Sequence, residues 1–154
     1  TGDLVIASIN WDRRYRLMRM HSALHLLCAI VDAQVTGAKV DLDKSRIDFN
    51  PDGVIIDKSS IQANVDELIA ADHPLSVRWI TEKDLLDRPE LVRTMSVSPP
   101  AGVDKVRLVE IEGADLQPCG GTHVSSTSEI GKLLVGKIEN KGKYNRRVSV
   151  YLAD

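Results

Sequence analysis

Residues 12–34, DRRYRLMRMHSALHLLCAIVDAQ, decide the fold because they carry the strongest helical pattern in the chain. Apolar side chains recur at spacings of three and four residues between Leu17 and Val31, which is the pattern of an amphipathic helix. The expected boundaries are an N-terminal cap at Asn10 or Asp12 and a stop at Thr36-Gly37.

Around this helix the chain alternates between short strand patterns and one further helix. Strands are predicted at 4–9, 40–42, 45–49, 75–81, 105–112, 133–138 and 147–152, with turns at 50–53 and 140–143. A second helix is predicted from a Ser-x-x-Gln capping box at 59–62 to residue 72, then a helical turn at 82–87 and a connector at 89–100. This order predicts an α+β fold, with a largely antiparallel sheet and helices packed on one side.

The composition is that of a globular domain. The chain has 154 residues, of which 43% are hydrophobic and 27% are charged, so it can form its own core and is not disordered. Its longest mainly apolar stretch, residues 23–35, is interrupted by polar side chains and is shorter than the ~20 residues that span a bilayer. Since a secretory signal is not evident either, the expected location is the cytoplasm. Cys28 and Cys119 are then expected to be reduced thiols or metal ligands.

The net charge of −2 conceals a segregated distribution. Residues 1–40 carry five basic and three acidic side chains, residues 41–115 carry nine and sixteen, and residues 116–154 carry six and three. Basic ends that flank an acidic middle are compatible with a polyanionic partner, because nucleic-acid binders concentrate their positive charge locally. An ordinary solvated surface explains the same distribution equally well.

Two histidines stand four residues apart in the main helix. His21 and His25 are expected to project from one face about 6 Å apart, a separation that suits a single metal ion. The pattern is weak by itself, because two histidines meet this spacing by chance in many helices.

A second group of potential ligands lies at 119–123, in Cys-Gly-Gly-Thr-His. The two glycines allow the backbone to wrap closely around an ion or a small ligand, because glycine adopts positive φ without penalty. Imidazoles and a thiolate favour Zn²⁺ over ions that prefer oxygen ligands. One zinc ion per chain is therefore predicted at His21, His25, Cys119 and His123. Cys28 lies three residues after His25, but its apolar neighbours favour a place in the core.

The sequence leaves the role of the zinc open, since four ligands close the site and three leave a position for water. In one alternative the other three ligands hold the ion with a water, and His123 acts as a base or leaves when the substrate arrives. In the second alternative the ion orients the substrate, and His123 or, secondarily, Asp115 activates a separate water. Asp115 and Gln117 are otherwise expected to be outer partners that orient the imidazoles.

These motifs resemble those of the editing domain shared by alanyl-tRNA and threonyl-tRNA synthetases and by the free-standing alanyl-tRNA editing proteins called AlaX. Residues 13–27 are similar to the family's H-x-x-x-H helix, 45–49 to its following strand, and 117–124 with 129–131 to its C-x-x-x-H segment. The AlaX type fits better than the threonyl type. The resemblance implies the fold of the synthetases' second additional domain over residues 12–154, with residues 1–11 as a linker or the end of an upstream β-rich domain.

The resemblance also implies an activity: hydrolysis, in trans and without ATP, of the ester that joins serine or glycine to alanine tRNA. A synthetase pocket shaped for alanine excludes these amino acids poorly, whereas a second site with a polar group placed for the serine hydroxyl can reject alanine. Thr36 is the first candidate for that group and Thr122 the second. Gln117, Gly120 and Gly121 are also expected at the substrate.

Alanine tRNA is the implied partner, and basic side chains near both ends of the chain supply candidate phosphate contacts. These candidates are Arg13, Arg14, Lys141, Lys143, Arg146 and Arg147. Two alternatives stay open: a threonyl-type domain that removes serine from threonine tRNA, and a tRNA-binding fragment with a structural zinc. A metallopeptidase is disfavoured because the helix lacks the glutamate of H-E-x-x-H.

Overall fold

The computed structural model describes residues 2–94 and 102–153. Its helices are α1 (Trp11–Ile30), α2 (Lys58–Ala70) and α3 (Glu82–Leu86), with single 3₁₀ turns at Pro89–Leu91 and Thr127–Ile130. Its strands are β1 (Gln34–Lys39), β2 (Ser45–Asn50), β3 (Leu75–Ile80), β4 (Val106–Ile111), β5 (Asp115–Pro118), β6 (Leu133–Val135), β7 (Glu139–Asn140) and β8 (Arg146–Leu152).

The predicted α+β fold class is confirmed, and the strands form two antiparallel sheets. The large sheet has the order β1-β2-β8-β6, and β7 also pairs with β8. The small sheet has the order β3-β4-β5. Since β5 leads directly into the Cys119 segment, the small sheet delivers one part of the candidate site, while α1 delivers the other.

The main core lies between α1, α2 and the large sheet. Met20 and Leu27 of α1 are completely buried and pack in the same cluster as Phe49 of β2 and Val150 of β8. A smaller apolar cluster lies against the small sheet, where Leu108 contributes a fully buried side chain. Because the buried face of α1 also contains His25, the main core fixes the position of this imidazole.

The main helix begins where the sequence predicts but ends earlier. Asn10, one of the two expected caps, accepts a hydrogen bond from the Arg13 backbone N–H at 2.9 Å. The helix ends at Ile30 instead of continuing to residue 34, and the predicted stop at Thr36-Gly37 lies inside β1. The strand at 40–42 was therefore placed too late. Pairing of β1 with β2, which sets Val35 opposite Phe49, overrides the helical pattern of this stretch.

Two further boundary predictions were wrong. Residues 4–9 form no strand: Leu4 and Ile6 are 98% and 97% exposed, and alternation alone does not make a strand without a neighbouring ladder. The capping box predicted from Ser59 does not form, because Asp57 caps α2 by accepting from the Ser60 N–H at 2.8 Å. In addition, the predicted strand at 133–138 is reduced to β6, and the predicted connector runs partly outside the described residues.

Within the described part of the chain, no helix combines the length and the apolar character needed to cross a bilayer.

Candidate metal centre

The helix α1 supplies two imidazoles on one face. His21 is half-buried, whereas His25 is only 4% exposed, and their ring centroids are 5.3 Å apart. This separation follows directly from the i, i+4 spacing, since residues four apart in a helix lie one above the other. Ordinary helical geometry is therefore sufficient to bring these two rings together.

The segment after β5 brings a thiol and a third imidazole to the same point. The Cys119 Sγ lies 3.5 Å from the His21 Nε2 and 3.6 Å from the His123 Nε2. The His123 Nε2 lies 3.1 Å from the His25 Nε2. One potential ligand atom from each of the four residues lies within 4.8 Å of the others. The convergence predicted from the two motifs is thus present in the fold.

The donor set fits a tetrahedral zinc site. Bond lengths of about 2.0 Å to nitrogen and 2.3 Å to sulfur give edges of roughly 3.3 Å between nitrogens and 3.5 Å between nitrogen and sulfur in a tetrahedron. The two sulfur distances, 3.5 and 3.6 Å, match such edges, and the 3.1 Å between the His25 and His123 nitrogens is close to one. The four side chains could therefore hold a metal ion.

Asp115 and Gln117 of β5 support His25 from behind. The Asp115 Oδ2 lies 2.9 Å from the His25 Nδ1 and accepts a hydrogen bond from the Gln117 amide at 2.7 Å. A proton on His25 Nδ1 then points to the carboxylate and leaves the lone pair of Nε2 for the cluster. Asp115 is buried behind this ring and does not line the neighbouring cavity. The contact with the ring fits the predicted role of Asp115 in orienting His25, and its role in activating a water stays a prediction.

The electrostatics of the cluster favour a thiolate. Burial opposes the charged form of Cys119, but hydrogen bonds to His123, His21 and His25 outweigh burial and lower the pKa of the thiol to about 3. Burial also disfavours a charged His25, but hydrogen bonds to Asp115 and Cys119 raise its pKa to about 9. Burial lowers the pKa of His123. At neutral pH the cluster accordingly contains a negative sulfur, which is the protonation state that binds metal.

Packing against the His21 ring explains why residue 121 is glycine. A Cβ added at Gly121 would overlap the His21 ring and lie 2.6 Å from its Nδ1, whereas a Cβ on Gly120 would meet nothing within 4 Å. Neither glycine has positive φ, so the predicted reason was wrong and close approach of the ring is the cause. Arg107 of β4 also braces this segment, because its Nη1 donates to the carbonyls of Cys119 at 2.6 Å and Gly121 at 2.9 Å.

A cavity of about 180 Å³ opens beside the cluster. Three of the four potential ligands line it, and His123 does not. The remaining lining is mainly apolar and consists of Leu24, Cys28, Val35, Ala38, Val40, Ile47, Thr94, Gln117 and Pro118. Cys28 is 5% exposed and belongs to the main core, as predicted, and burial raises the pKa of its thiol to about 12.

The cavity contains only some of the predicted substrate residues. Gln117 lines it, but Thr36 does not, and the Thr36 hydroxyl donates to the Asp48 carbonyl at 3.1 Å. Thr122 is exposed and also lies outside the lining. Thr94 supplies a hydroxyl that sequence reasoning missed. It reaches the cavity because it bridges Val35, a long-range contact that leaves no local signal in the sequence.

The basic side chains predicted to contact phosphates differ in whether they already form hydrogen bonds or ion pairs within the protein. Arg147 is committed to a buried carboxylate, with its Nε and Nη2 donating to Asp48 at 2.7 and 2.8 Å. Arg146 donates to Asn140 and Gly142 within the terminal hairpin. Structural roles therefore account for these two arginines. The other candidates lie on the exposed or half-exposed surface and are Arg13, Arg14, Lys141 and Lys143.

Comparison with known proteins gives this geometry a context. Residues 106–149 match the family described as the threonyl and alanyl tRNA synthetase second additional domain. This match contains Cys119 and His123 but not α1. Over 99% of its length the chain is 38% identical to the alanyl-tRNA editing protein AlaX-M of Methanosarcina acetivorans. The chain is a homologue of the alanyl-tRNA editing proteins.

Two other relatives support the same relationship. The AlaX-M protein of Saccharolobus solfataricus is 37% identical over 96% of the chain, and the alanine–tRNA ligase of Methanococcus maripaludis is 32% identical over 90% of it. The chain spans 64% and 63% of the lengths of the two AlaX-M proteins, and 16% of the ligase. The similarity therefore covers α1 as well as the residues matched by the domain family.

Proposed function

We propose that this chain deacylates mischarged alanine tRNA by hydrolysing the ester that joins serine or glycine to the terminal ribose. The observation that carries the proposal is the convergence of His21, His25, Cys119 and His123 beside a cavity whose remaining lining is mainly apolar. The names of the AlaX-M relatives support alanine tRNA as the substrate class. Hydrolysis of an ester is energetically downhill, so the reaction needs no ATP. Because the proposed substrate is a tRNA used in translation, the cytoplasm is the proposed location.

Zinc is the proposed cofactor, with His21, His25, Cys119 and His123 as its ligands. When bound, the ion would supply positive charge that orients the substrate beside the cavity, since four protein ligands would close its coordination. We assign His123 to the ligand set because its Nε2 distances match tetrahedral edges and because its ring does not line the cavity. A neutral imidazole is required for this role, and burial of His123 lowers its pKa and thus keeps it neutral.

The chain's other residues orient these groups and select the amino acid. Asp115 fixes the tautomer and ring plane of His25, and Arg107 holds the backbone on both sides of Gly120. The Gln117 amide and the Thr94 hydroxyl are polar groups in an otherwise apolar lining. We propose that the serine hydroxyl hydrogen-bonds to one of these polar groups, a contact that the methyl group of alanine cannot make.

The tRNA body is proposed to contact basic side chains outside the cavity. Arg13, Arg14, Lys141 and Lys143 are available, because no described ion pair commits them except that of Lys141 with Glu139. Contacts of this kind release counterions, so binding should weaken steeply as salt concentration rises.

The test is a deacylation assay with alanine tRNA charged with serine, glycine or alanine, run with and without a chelator. We expect release of serine or glycine, little release of alanine, and loss of activity on metal removal that added zinc restores. Threonine tRNA charged with serine is the matched control substrate. Preference for that control would instead support the threonyl-type alternative.

Substitutions of the potential ligands distinguish a catalytic zinc from a structural one. His21→Ala and Cys119→Ala should lose both the metal and the deacylation activity. Retention of zinc and tRNA binding by the unaltered protein without any deacylation above buffer would favour a structural zinc. His123→Ala with unchanged zinc content and lower kcat would reassign His123 from ligand to base.

A further inference from the structure

An exposed tryptophan lies on the small sheet, whose strand β5 leads to the metal-binding segment. Trp79 of β3 is 60% exposed, although tryptophan side chains are highly buried on average. Val77, two residues earlier and thus on the same face of the strand, is 48% exposed. The two side chains present an apolar surface at the edge of the sheet.

The strand register connects this surface to the supports of His25. Trp79 lies directly opposite Arg107 of β4, and directly opposed residues of an antiparallel pair share a face with Cβ atoms about 5 Å apart. In the next pair Val109 of β4 lies opposite Gln117 of β5. Because alternate residues share a face, Trp79, Arg107 and Gln117 all lie on the side of the sheet that carries Asp115.

Arg107 joins the exposed surface to the metal-binding segment itself. Its Nη1 donates to the Cys119 carbonyl at 2.6 Å and to the Gly121 carbonyl at 2.9 Å. The residue paired with Trp79 is therefore in direct contact with the backbone of a potential metal ligand. Trp79 and Cys119 therefore both neighbour Arg107, one on each side of β4.

We propose that Trp79 is a stacking platform for an unpaired base at the 3′ end of the tRNA. The inference rests on the proposed function, because an ester at the end of a single strand brings its neighbouring bases to the surface around the cluster. Aromatic side chains bind such bases by stacking, and every base offers a π-face, so the contact tolerates any sequence. An exposed indole on the sheet that leads to the site has the chemistry that this substrate requires.

Fluorescence tests the contact directly, because the chain has only two tryptophans. Trp11 stacks on Tyr15 with ring centroids 6.3 Å apart, so Trp11→Phe keeps an aromatic ring there and leaves Trp79 as the sole indole. The probes are an uncharged alanine acceptor minihelix and the same minihelix without its unpaired 3′ nucleotides. Binding of each probe is followed independently by anisotropy of a label at its far end.

We expect the first probe to quench the indole of the Trp11→Phe protein and the shortened probe to leave it unchanged. The reciprocal variant Trp79→Phe, which retains Trp11, should show no such quenching. Binding of the first probe without any change in Trp79 fluorescence would overturn the assignment.

Kinetics with seryl-tRNA give the second readout. Trp79→Val keeps a strand-forming side chain but has no ring, and it should raise KM about tenfold or more while kcat and zinc content stay unchanged. Trp79→Phe should recover most of the loss. An unchanged KM in the valine variant would overturn the inference and leave the proposed function intact.

Two other results have equally clear meanings. If the unaltered protein deacylates none of the charged tRNAs, the proposed function fails, and the role of Trp79 fails with it. If sedimentation shows a dimer that Trp79→Val dissociates, the surface is an interface between two copies and the stacking role is wrong.

Discussion

The two halves of the candidate metal centre are built in different ways. The helical half, His21 and His25, depends on a spacing of four residues within α1, so local backbone hydrogen bonds are enough to align the rings. The loop half, Cys119 and His123, has no regular structure of its own. Its position depends on two direct contacts: Arg107 donates to its backbone, and the His21 ring packs against Gly121. The preceding strand β5 is in turn connected to α1 by the contact of Asp115 with His25.

This difference indicates where the site is vulnerable. Changes that leave α1 folded should leave both imidazoles on the same face of the helix, although the ring plane of His25 also depends on Asp115. The loop half should respond to small changes in its surroundings, because several long-range contacts must hold at once. The predictions below compare the two halves, in order of decreasing effect.

The largest effect is expected from Gly121→Ala. The added methyl group would overlap the His21 ring, so either the ring or the loop must move and the ligands separate. We expect metal affinity to fall by about 100-fold or more, judged against the 10- to 100-fold effects of losing an outer partner. Competition with a chromophoric chelator measures this. Gly120→Ala is the matched control, since its methyl group meets nothing within 4 Å and should leave the affinity unchanged.

The next largest effect is expected from Asp115→Asn, which keeps the volume of the side chain but removes the charge that orients His25. Metal affinity should fall roughly 10- to 100-fold while the protein stays folded. Asp48→Asn is the control, because Asp48 is another buried carboxylate but binds Arg147 and Arg46 in the large sheet. If both variants lost metal equally, the orienting role of Asp115 would be disproved.

The pH dependence of metal binding should reveal the proton on His25. Its pKa of about 9 means that the metal-free protein holds this proton at neutral pH, and metal binding must displace it. Cys119, with a pKa of about 3, has no proton left to release. Metal affinity should therefore rise about tenfold per pH unit from pH 7 and level off near pH 9. A slope of two protons would show that the thiol is protonated, and a flat profile would show that His25 is neutral.

The smallest effect is expected at the start of the helical half. Asn10→Ala removes the side-chain cap of α1, which should lower the free energy of unfolding by about 1 kcal/mol in a urea titration. Metal affinity should not change, because His21 lies several turns from the cap. A parallel loss of affinity would show that the spacing within the helix does not by itself hold the two imidazoles in place.

The same division decides how much the sequence could predict. The spacing of His21 and His25 predicts their common face, and the types of the four donors predict an N/S metal site, since both inferences need only local geometry and ligand chemistry. The end of α1 at Ile30 could not be predicted, because pairing of Val35 with Phe49 competes with the helix. The roles of Thr94 and Arg107 could not be predicted either, since they arise from contacts with residues distant in sequence.

The reason for Gly121 shows a second limit. The sequence indicates a glycine-rich segment, and positive φ is the usual explanation for such segments. Here the glycine is required because an imidazole from another element lies against it. A cause of this kind becomes visible only when the packing of the two elements is known.

Binding of cobalt(II) to the metal-free protein tests most directly the central claim that helix and loop share one ion. We expect one equivalent to produce the absorption of tetrahedral cobalt together with a thiolate charge-transfer band. That band should disappear in Cys119→Ser and persist in Cys28→Ala, whose thiol lies in the core. Binding of no cobalt by the unaltered protein, or an unchanged charge-transfer band in Cys119→Ser, would contradict this account.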